Sequence, residues 1–276
     1  MNRNILFFII SFVFCVNING QSYKESLKKA LDAKDMKKAE EILKSWDFAN
    51  SNDPELYISY SNFYSIMSQG NAGVMNPTGY DNNYSKKAVE YITYGIDRFP
   101  TRFDMRIIKI YLLAKLKDYT SFTAEVIKTI EYSVKIENNW KGGGYESVEN
   151  AEIIFFGAIA DFQNLLYAEN RASLYDNMLR ISEVTLKHYP NHVQSMIDMS
   201  TVYVKQGKHD ESIKILLKAS NLQPKNAIVQ YNLAYIYNLM GDKVSAKKFY
   251  ELVVVNATEK EKPLKDGAQR HLKELQ

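Results

Sequence analysis

The sequence predicts an all-α chain, a solenoid of about six antiparallel helix pairs closed by a capping helix at its C-terminus. Three observations point there. The C-terminal part aligns on itself at an offset of 34 residues, a period that fits one helix–turn–helix unit. Only 6 prolines occur and several stand where a helix would have to stop. Runs of β-branched and aromatic residues in strict alternation, the mark of a half-buried strand, are absent. With 46% hydrophobic residues and no low-complexity tract, the chain has enough apolar surface to fold.

Residues 1–20 differ from the rest. Arg3 is their only charge, and an apolar run from Ile5 to Val16, broken only by Ser11, leads to Asn17-Ile18-Asn19-Gly20. A basic start, a short apolar core and a small residue at the junction form a secretory signal, with cleavage expected between Gly20 and Gln21. The run is too short for a bilayer, which needs about 20 apolar residues. Cys15 could carry a lipid, but Val13 and Phe14 stand where a lipobox wants small residues. Cleavage after Gly20 leaves no cysteine, which excludes disulfides, thiolate catalysis and thiolate metal sites. It also leaves 34 basic against 32 acidic residues, too balanced for nucleic acid or an anionic membrane to be the main partner. No transmembrane segment is expected in the mature chain, 21–276.

From Gln21 onward the helix pairs can be followed in order. Ala39, Leu43 and Trp46 fit a second helix after the polar turn Lys34-Asp35. Asp53-Pro54-Glu55 starts the next, an Asp cap followed by proline in the first turn. Tyr57, Tyr60, Ser61 and Tyr64 then take first-helix spacing, and a partner carrying Ala88, Ile92 and Gly95 stops at Pro100. Asp104, Ile107, Ile108 and Tyr111 begin a third unit, while Ile153–Tyr167 and Met178–His188 make a fourth that ends at Pro190. Two stretches interrupt the pattern: 68–85, rich in Gly and Asn, and 137–146, which contains Trp140-Lys141-Gly142-Gly143-Gly144-Tyr145. Both are candidates for partner contacts, since function is often carried on loops, or else tolerated insertions.

The clearest repeats are 193–226 and 227–260. Met199 falls on Leu233, Ser200 on Ala234, Tyr203 on Tyr237, Gly207 on Gly241, Ser212 on Ala246 and Leu216 on Tyr250. Small residues at Ser200 and Ala234 let helix backbones approach, Tyr203 and Tyr237 fill the wedge between pairs, and the glycines end the first helix in a left-handed conformation. Pro224 stops the second helix and Asn226 caps the next. In these residues the chain resembles the tetratricopeptide repeat family, with Met196-x2-Met199-Ser200-x2-Tyr203, Ser212-x3-Leu216 and Pro224 in the family's slots. The resemblance implies a right-handed superhelical solenoid whose first helices line a concave, peptide-binding groove. Residues 261–275 read as the cap, with Leu264, Ala268 and Leu272 making an apolar stripe.

No catalytic constellation stands out, no cofactor is implied, and no enzymatic activity is expected. His188 and His192 have the i, i+4 spacing of a metal pair, but Pro190 lies between them and no acidic base follows as in H-E-x-x-H. Gly142-Gly143-Gly144 lacks the Gly-Lys-Ser/Thr of a phosphate loop, and no G-x-S-x-G occurs. What remains is surface for another protein or peptide. Ile228, Tyr231, Tyr235 and Asn238 share one face of the last first helix, with Asn232 beside them. Tyrosine suits such a face, with a large apolar body and a polar tip. A second stripe, Arg102, Arg106 and Lys109, extendable by Lys24 and Lys28, would suit an acidic peptide. The family's carboxylate clamp is not matched: Ile197 and Thr201 replace its first Lys and Asn, and only Asn232 fits the second unit.

The expected function is therefore a protein-binding scaffold or adaptor of the cell envelope. The Asn-, Lys-, Ile- and Tyr-rich style resembles exported proteins of Bacteroidetes-type bacteria, which implies the periplasm or secretion. Alternatives are an outer-membrane assembly lipoprotein, a helical carrier of a small molecule or glycan, and a hydrolase built on helical pairs.

Overall fold

The computed structural model describes residues 18–69, 82–142 and 148–275. Among them stand thirteen α-helices and no β-strand. The chain divides into two compact units, Met1–Ala158 and Ile159–Gln276. The leader expected over 1–20 lies outside the described residues up to 17, with Cys15 and most of the 68–85 stretch.

Unit 1 is built from α1 (Ile18–Asp32), α2 (Met36–Asn50), α3 (Pro54–Ser68), α4 (Asn82–Arg98), α5 (Phe103–Lys115), α6 (Tyr119–Lys135) and the first part of α7 (Val148–Ala168). Local chemistry sets the starts. The carboxylates of Asp35, Asp53 and Asp118 each accept a backbone N–H of the first turn at 3.0 Å, and Pro54 opens α3 at a position that needs no donor. Asp53 also accepts from Trp46 Nε1 at 3.2 Å, tying the end of α2 to the start of α3. Gly20, the residue before the expected cleavage, lies within α1 and packs on Asp53 and Trp46.

The expected packing residues of the first two pairs are buried: Ala39, Leu43 and Trp46 of α2, Tyr57, Tyr60, Ser61 and Tyr64 of α3, and Ala88 and Ile92 of α4. Tyr60 stacks on Tyr91 with centroids 4.3 Å apart, and Tyr64 stacks on Tyr91 and Tyr84 at 5.3 and 6.2 Å. Burial pushes the Tyr64 phenol up to about 12, so this ring stays neutral. Gly95 is required by proximity, because a Cβ there would stand 2.8 Å from that of Tyr57.

In α5 the buried face is turned from the expected one. Phe103, Met105, Ile110 and Leu113 are buried, whereas Ile107 and Ile108 are half-buried and Tyr111 is exposed. At the start of α5 Phe103 packs on Trp140, which comes back from the segment after α6 and lies 1% exposed between Phe103, Tyr132 and Phe155, at 5.0, 5.7 and 6.4 Å. A short parallel bridge, Arg102 to Lys141, fixes the segment through Lys141 N to Thr101 O (2.8 Å) and Phe103 N to Lys141 O (3.2 Å). Within the described part of the 137–146 interruption, Trp140 is therefore a core residue, while Glu137, Asn139 and Lys141 are exposed.

Unit 2 holds the rest of α7, then α8 (Tyr175–His188), α9 (Val193–Lys205), α10 (His209–Leu222), α11 (Ala227–Leu239), α12 (Lys243–Asn256) and α13 (Lys262–Glu274). Ser200, Ala234 and Ala268, spaced by 34, are all buried. The register therefore continues into α13, which packs on α11 and α12 as the first helix of a further unit would. Gly207 and Gly241 carry φ of 73° and 83°, the left-handed turn that glycine takes without a Cβ penalty. Asn226 caps α11 by accepting from the N–H groups of Ile228 and Val229.

Candidate functional site

Arg102, Arg106 and Lys109 occupy the start of α5, and each is already engaged. Arg102 holds Asp104 through Nε (2.9 Å) and Nη2 (2.6 Å), and its Nη2 also meets Glu55 at 2.5 Å. Lys24 of α1 holds the other oxygen of Glu55 at 2.7 Å. Burial works against the Arg102 charge, but Asp104 and Glu55 outweigh it and hold the guanidinium above its ordinary range. Glu55 is the converse: burial disfavours its charge, and Lys24 with Arg102 nonetheless keeps its carboxyl below the usual value. This chain of charges joins the first helices of three successive pairs.

Arg106 is buried more deeply. Its Nη1 lies 3.3 Å from Glu125, its Nε and Nη2 lie 3.4 Å from the Pro100 carbonyl, and its guanidinium lies 4.6 Å from the Tyr132 ring centroid. Lys109 takes the second Glu125 oxygen at 2.9 Å. Burial lowers the Arg106 value, partly offset by Glu125. The cationic stripe read from the sequence is thus matched by the chain's own Glu55, Asp104 and Glu125. Spacing along α5 could not reveal these partners, because Glu55 and Glu125 come from other helices.

The α11 face is arranged differently. Ile228, Tyr235 and Leu239 are 39%, 45% and 52% exposed, while Val229, Leu233 and Ile236 on the opposite face are buried. Asn232 and Asn238 are half-buried beside the exposed row. Tyr231 turns toward α13: its ring meets Tyr250 edge-on at 5.7 Å, and a Cβ on Gly267 would stand 3.1 Å from its hydroxyl. Leu239 was not among the residues singled out from the sequence, although it stands eleven residues after Ile228 and on the same face.

The two histidines with metal spacing do not act as a pair. His192 caps α9, its Nδ1 lying 3.4 Å from the Ser195 N–H and 2.9 Å from the Ser195 hydroxyl, and burial lowers its basicity. Among the described residues no three His, Cys, Asp or Glu side chains converge as metal ligands, and no helix is long and apolar enough to cross a membrane.

The family model for the TPR repeat matches residues 201–241, the stretch from mid-α9 to the glycine after α11. Residues 201–241 therefore carry a tetratricopeptide-type repeat, in the register set by Gly207 and Gly241. No curated protein matches. Among solved structures, the chain is similar to YrrB, "a TPR protein with an unusual peptide-binding site", at 12% identity and TM-score 0.45, covering 83% of this chain and 97% of that one. It is similar to the type IV pilus biogenesis factor PilW at 9% identity and TM-score 0.43, covering 91% and 99%. A tetratricopeptide repeat protein from Parabacteroides merdae ATCC 43184 is similar at 18% identity and TM-score 0.40, covering 93% and 90%.

Proposed function

We propose that this tetratricopeptide-repeat chain is an exported protein-binding scaffold that holds an extended segment or a helix of a partner protein on the first-helix face of unit 2. The observation that carries the reading is the exposed row Ile228, Tyr235 and Leu239 on α11. Every other face of that helix is packed, and an apolar row flanked by half-buried asparagines offers contact area together with hydrogen bonds to a peptide backbone. The cations of α5 take no part in this reading, because their charge is matched within unit 1.

Export rests on the leader of residues 1–20. Intact mass of the protein from its host tests it: cleavage before Gln21 supports a soluble exported chain, and a diacylated Cys15 would replace it with a lipid-anchored one. The binding reading is tested by a crosslinked pull-down from the native host. Wild type is compared with Tyr235→Ala/Leu239→Ala and with Phe48→Ala, a control on α2 that is 97% exposed. Loss of one captured protein in the double variant, with capture kept in the control, supports the α11 face. Equal capture by all three removes it.

A further inference from the structure

Unit 2 presents its first-helix face slot by slot. Thirty-four residues separate Gln194 from Ile228, Asp198 from Asn232, Thr201 from Tyr235 and Lys205 from Leu239. The slots of α9 therefore continue the α11 face toward the N-terminal side of the unit, and Asp198 stands in the slot that Asn232 fills on α11. In the same register α13 places Asp266 there.

The state of the Asp198 carboxylate is unusual. One oxygen accepts from Gln194 Nε2 at 2.9 Å. The other, Oδ2, is buried and has no hydrogen-bond partner among the described residues. Burial pushes the carboxyl up to about 6, and the Gln194 bond pulls only weakly the other way. A carboxylate oxygen shut away from water with no donor is an uncommon arrangement in a folded protein. It is costly to the free chain and is relieved by any cationic donor that reaches it. Gln194, which holds only the other oxygen Oδ1, is exposed, so it can turn aside and open that oxygen to a cation without disturbing the packed face of α9. Packing does not demand an acid here either, since Asn232 fills the equivalent slot on α11.

We propose that Asp198 seats a lysine or arginine side chain of the segment that binds along the unit 2 face. The inference rests on the reading of that face given above and adds the chemistry of one anchor. Lys205, Lys262 and Lys273 lie along the same helices but are exposed, and Lys205 stands over the Tyr167 ring at 5.8 Å; exposed charges contribute little compared with a desolvated one. The partner segment therefore combines one basic residue at a fixed position with apolar side chains spaced to meet Tyr235 and Leu239.

A random dodecapeptide phage library at pH 7.5, selected in parallel on wild type, Asp198→Asn and Tyr235→Ala, tests this. Wild type should enrich peptides with Lys or Arg at one invariant position. Selection on Asp198→Asn should lose that bias, and a wild-type-selected peptide should bind this variant at least tenfold more weakly by fluorescence anisotropy. The Asn variant keeps the acceptor for Gln194 and removes the buried charge, so its thermal midpoint should not fall, which separates lost binding from lost folding. Wild-type-selected peptides that need Tyr235 but carry no basic preference, or that bind Asp198→Asn undiminished, would overturn the Asp198 seat and leave the α11 reading standing. Peptides indifferent to both variants, or no selected peptides at all, would overturn both.

Discussion

The first helices α1 and α5 of unit 1 and α9 and α11 of unit 2 end in the same turn, made from different residues. Lys34 and Lys117 in unit 1 carry φ of 56°, where Gly207 and Gly241 in unit 2 carry 73° and 83°. The hydrogen bonds match: Lys34 N to Leu31 O and Asp35 N to Ala30 O repeat as Gly207 N to Val204 O and Lys208 N to Tyr203 O. Charges differ in the same way between the units. Unit 1 pairs Lys24, Arg102, Arg106 and Lys109 with Glu55, Asp104 and Glu125, and fills its irregular segment with Trp140. Unit 2 keeps glycine turns after α9 and α11, leaves an apolar row exposed on α11 and, among the described residues, one carboxylate oxygen of α9 without a donor. A repeat can thus depart from its pattern and match its first-helix charges within itself, or keep the pattern and leave an apolar row of a first helix open.

The largest expected effect lies at Trp140. Trp140→Ala should destabilise unit 1 by about 3–5 kcal/mol, since it empties the space between Phe103, Tyr132 and Phe155 and strips the cover from Arg106. Urea unfolding followed by Trp46 fluorescence would measure it, and a loss under 1 kcal/mol would make the segment a loosely held insertion.

Next in size is the charge network. Glu55→Gln leaves Lys24 and Arg102 without one shared carboxylate and should cost unit 1 about 1–3 kcal/mol. The two units should also respond oppositely to pH. Glu55 has its carboxyl held below the usual 4.5, so its stabilising contribution is present above that value and is lost as pH falls through the lower folded value. Asp198 is raised from 3.8 to about 6, so its contribution is full below 3.8 and is lost as pH rises through about 6. Amide hydrogen exchange in α3 and α9 between about pH 2.5 and 8 reads the units separately. A flat α9 profile in wild type, or one unchanged in Asp198→Asn, would show that this carboxylate is not strained.

The turns give the smallest effects. Lys34→Gly and Lys117→Gly should each stabilise unit 1 by about 0.5–1 kcal/mol, because the side chain is held at a positive φ that favours glycine. Gly207→Ala should cost unit 2 about 1 kcal/mol for the converse reason. Thermal midpoints of the variants would check both signs.

Those turns also show what could be read in advance. In unit 2 the glycines, small residues and Pro224 stand at fixed intervals, so the helix boundaries and the buried slots Ser200, Ala234, Tyr250 and Leu216 followed from the sequence. In unit 1 lysine fills the glycine position, and the turn is visible only through the Asp that follows it. Trp140 was legible as an interruption but not as a core residue, because its neighbours Phe103 and Phe155 are distant in the chain. The α5 cations were legible as a stripe, yet the carboxylates that engage them come from α3 and α6. Asp198 carries no motif, and only the 34-residue register that aligns it with Asn232 could have drawn notice to it.

The most direct test of the account is site-specific photocrosslinking in the native host, with a benzoylphenylalanine placed once at Tyr235 on unit 2 and once at Lys109 on unit 1. Crosslinking of one partner from position 235 and none from position 109 is the predicted result. The same partner captured from 109 and not from 235 would mean that the self-paired face of unit 1 opens to bind, and that the division between a closed unit and an open one is wrong.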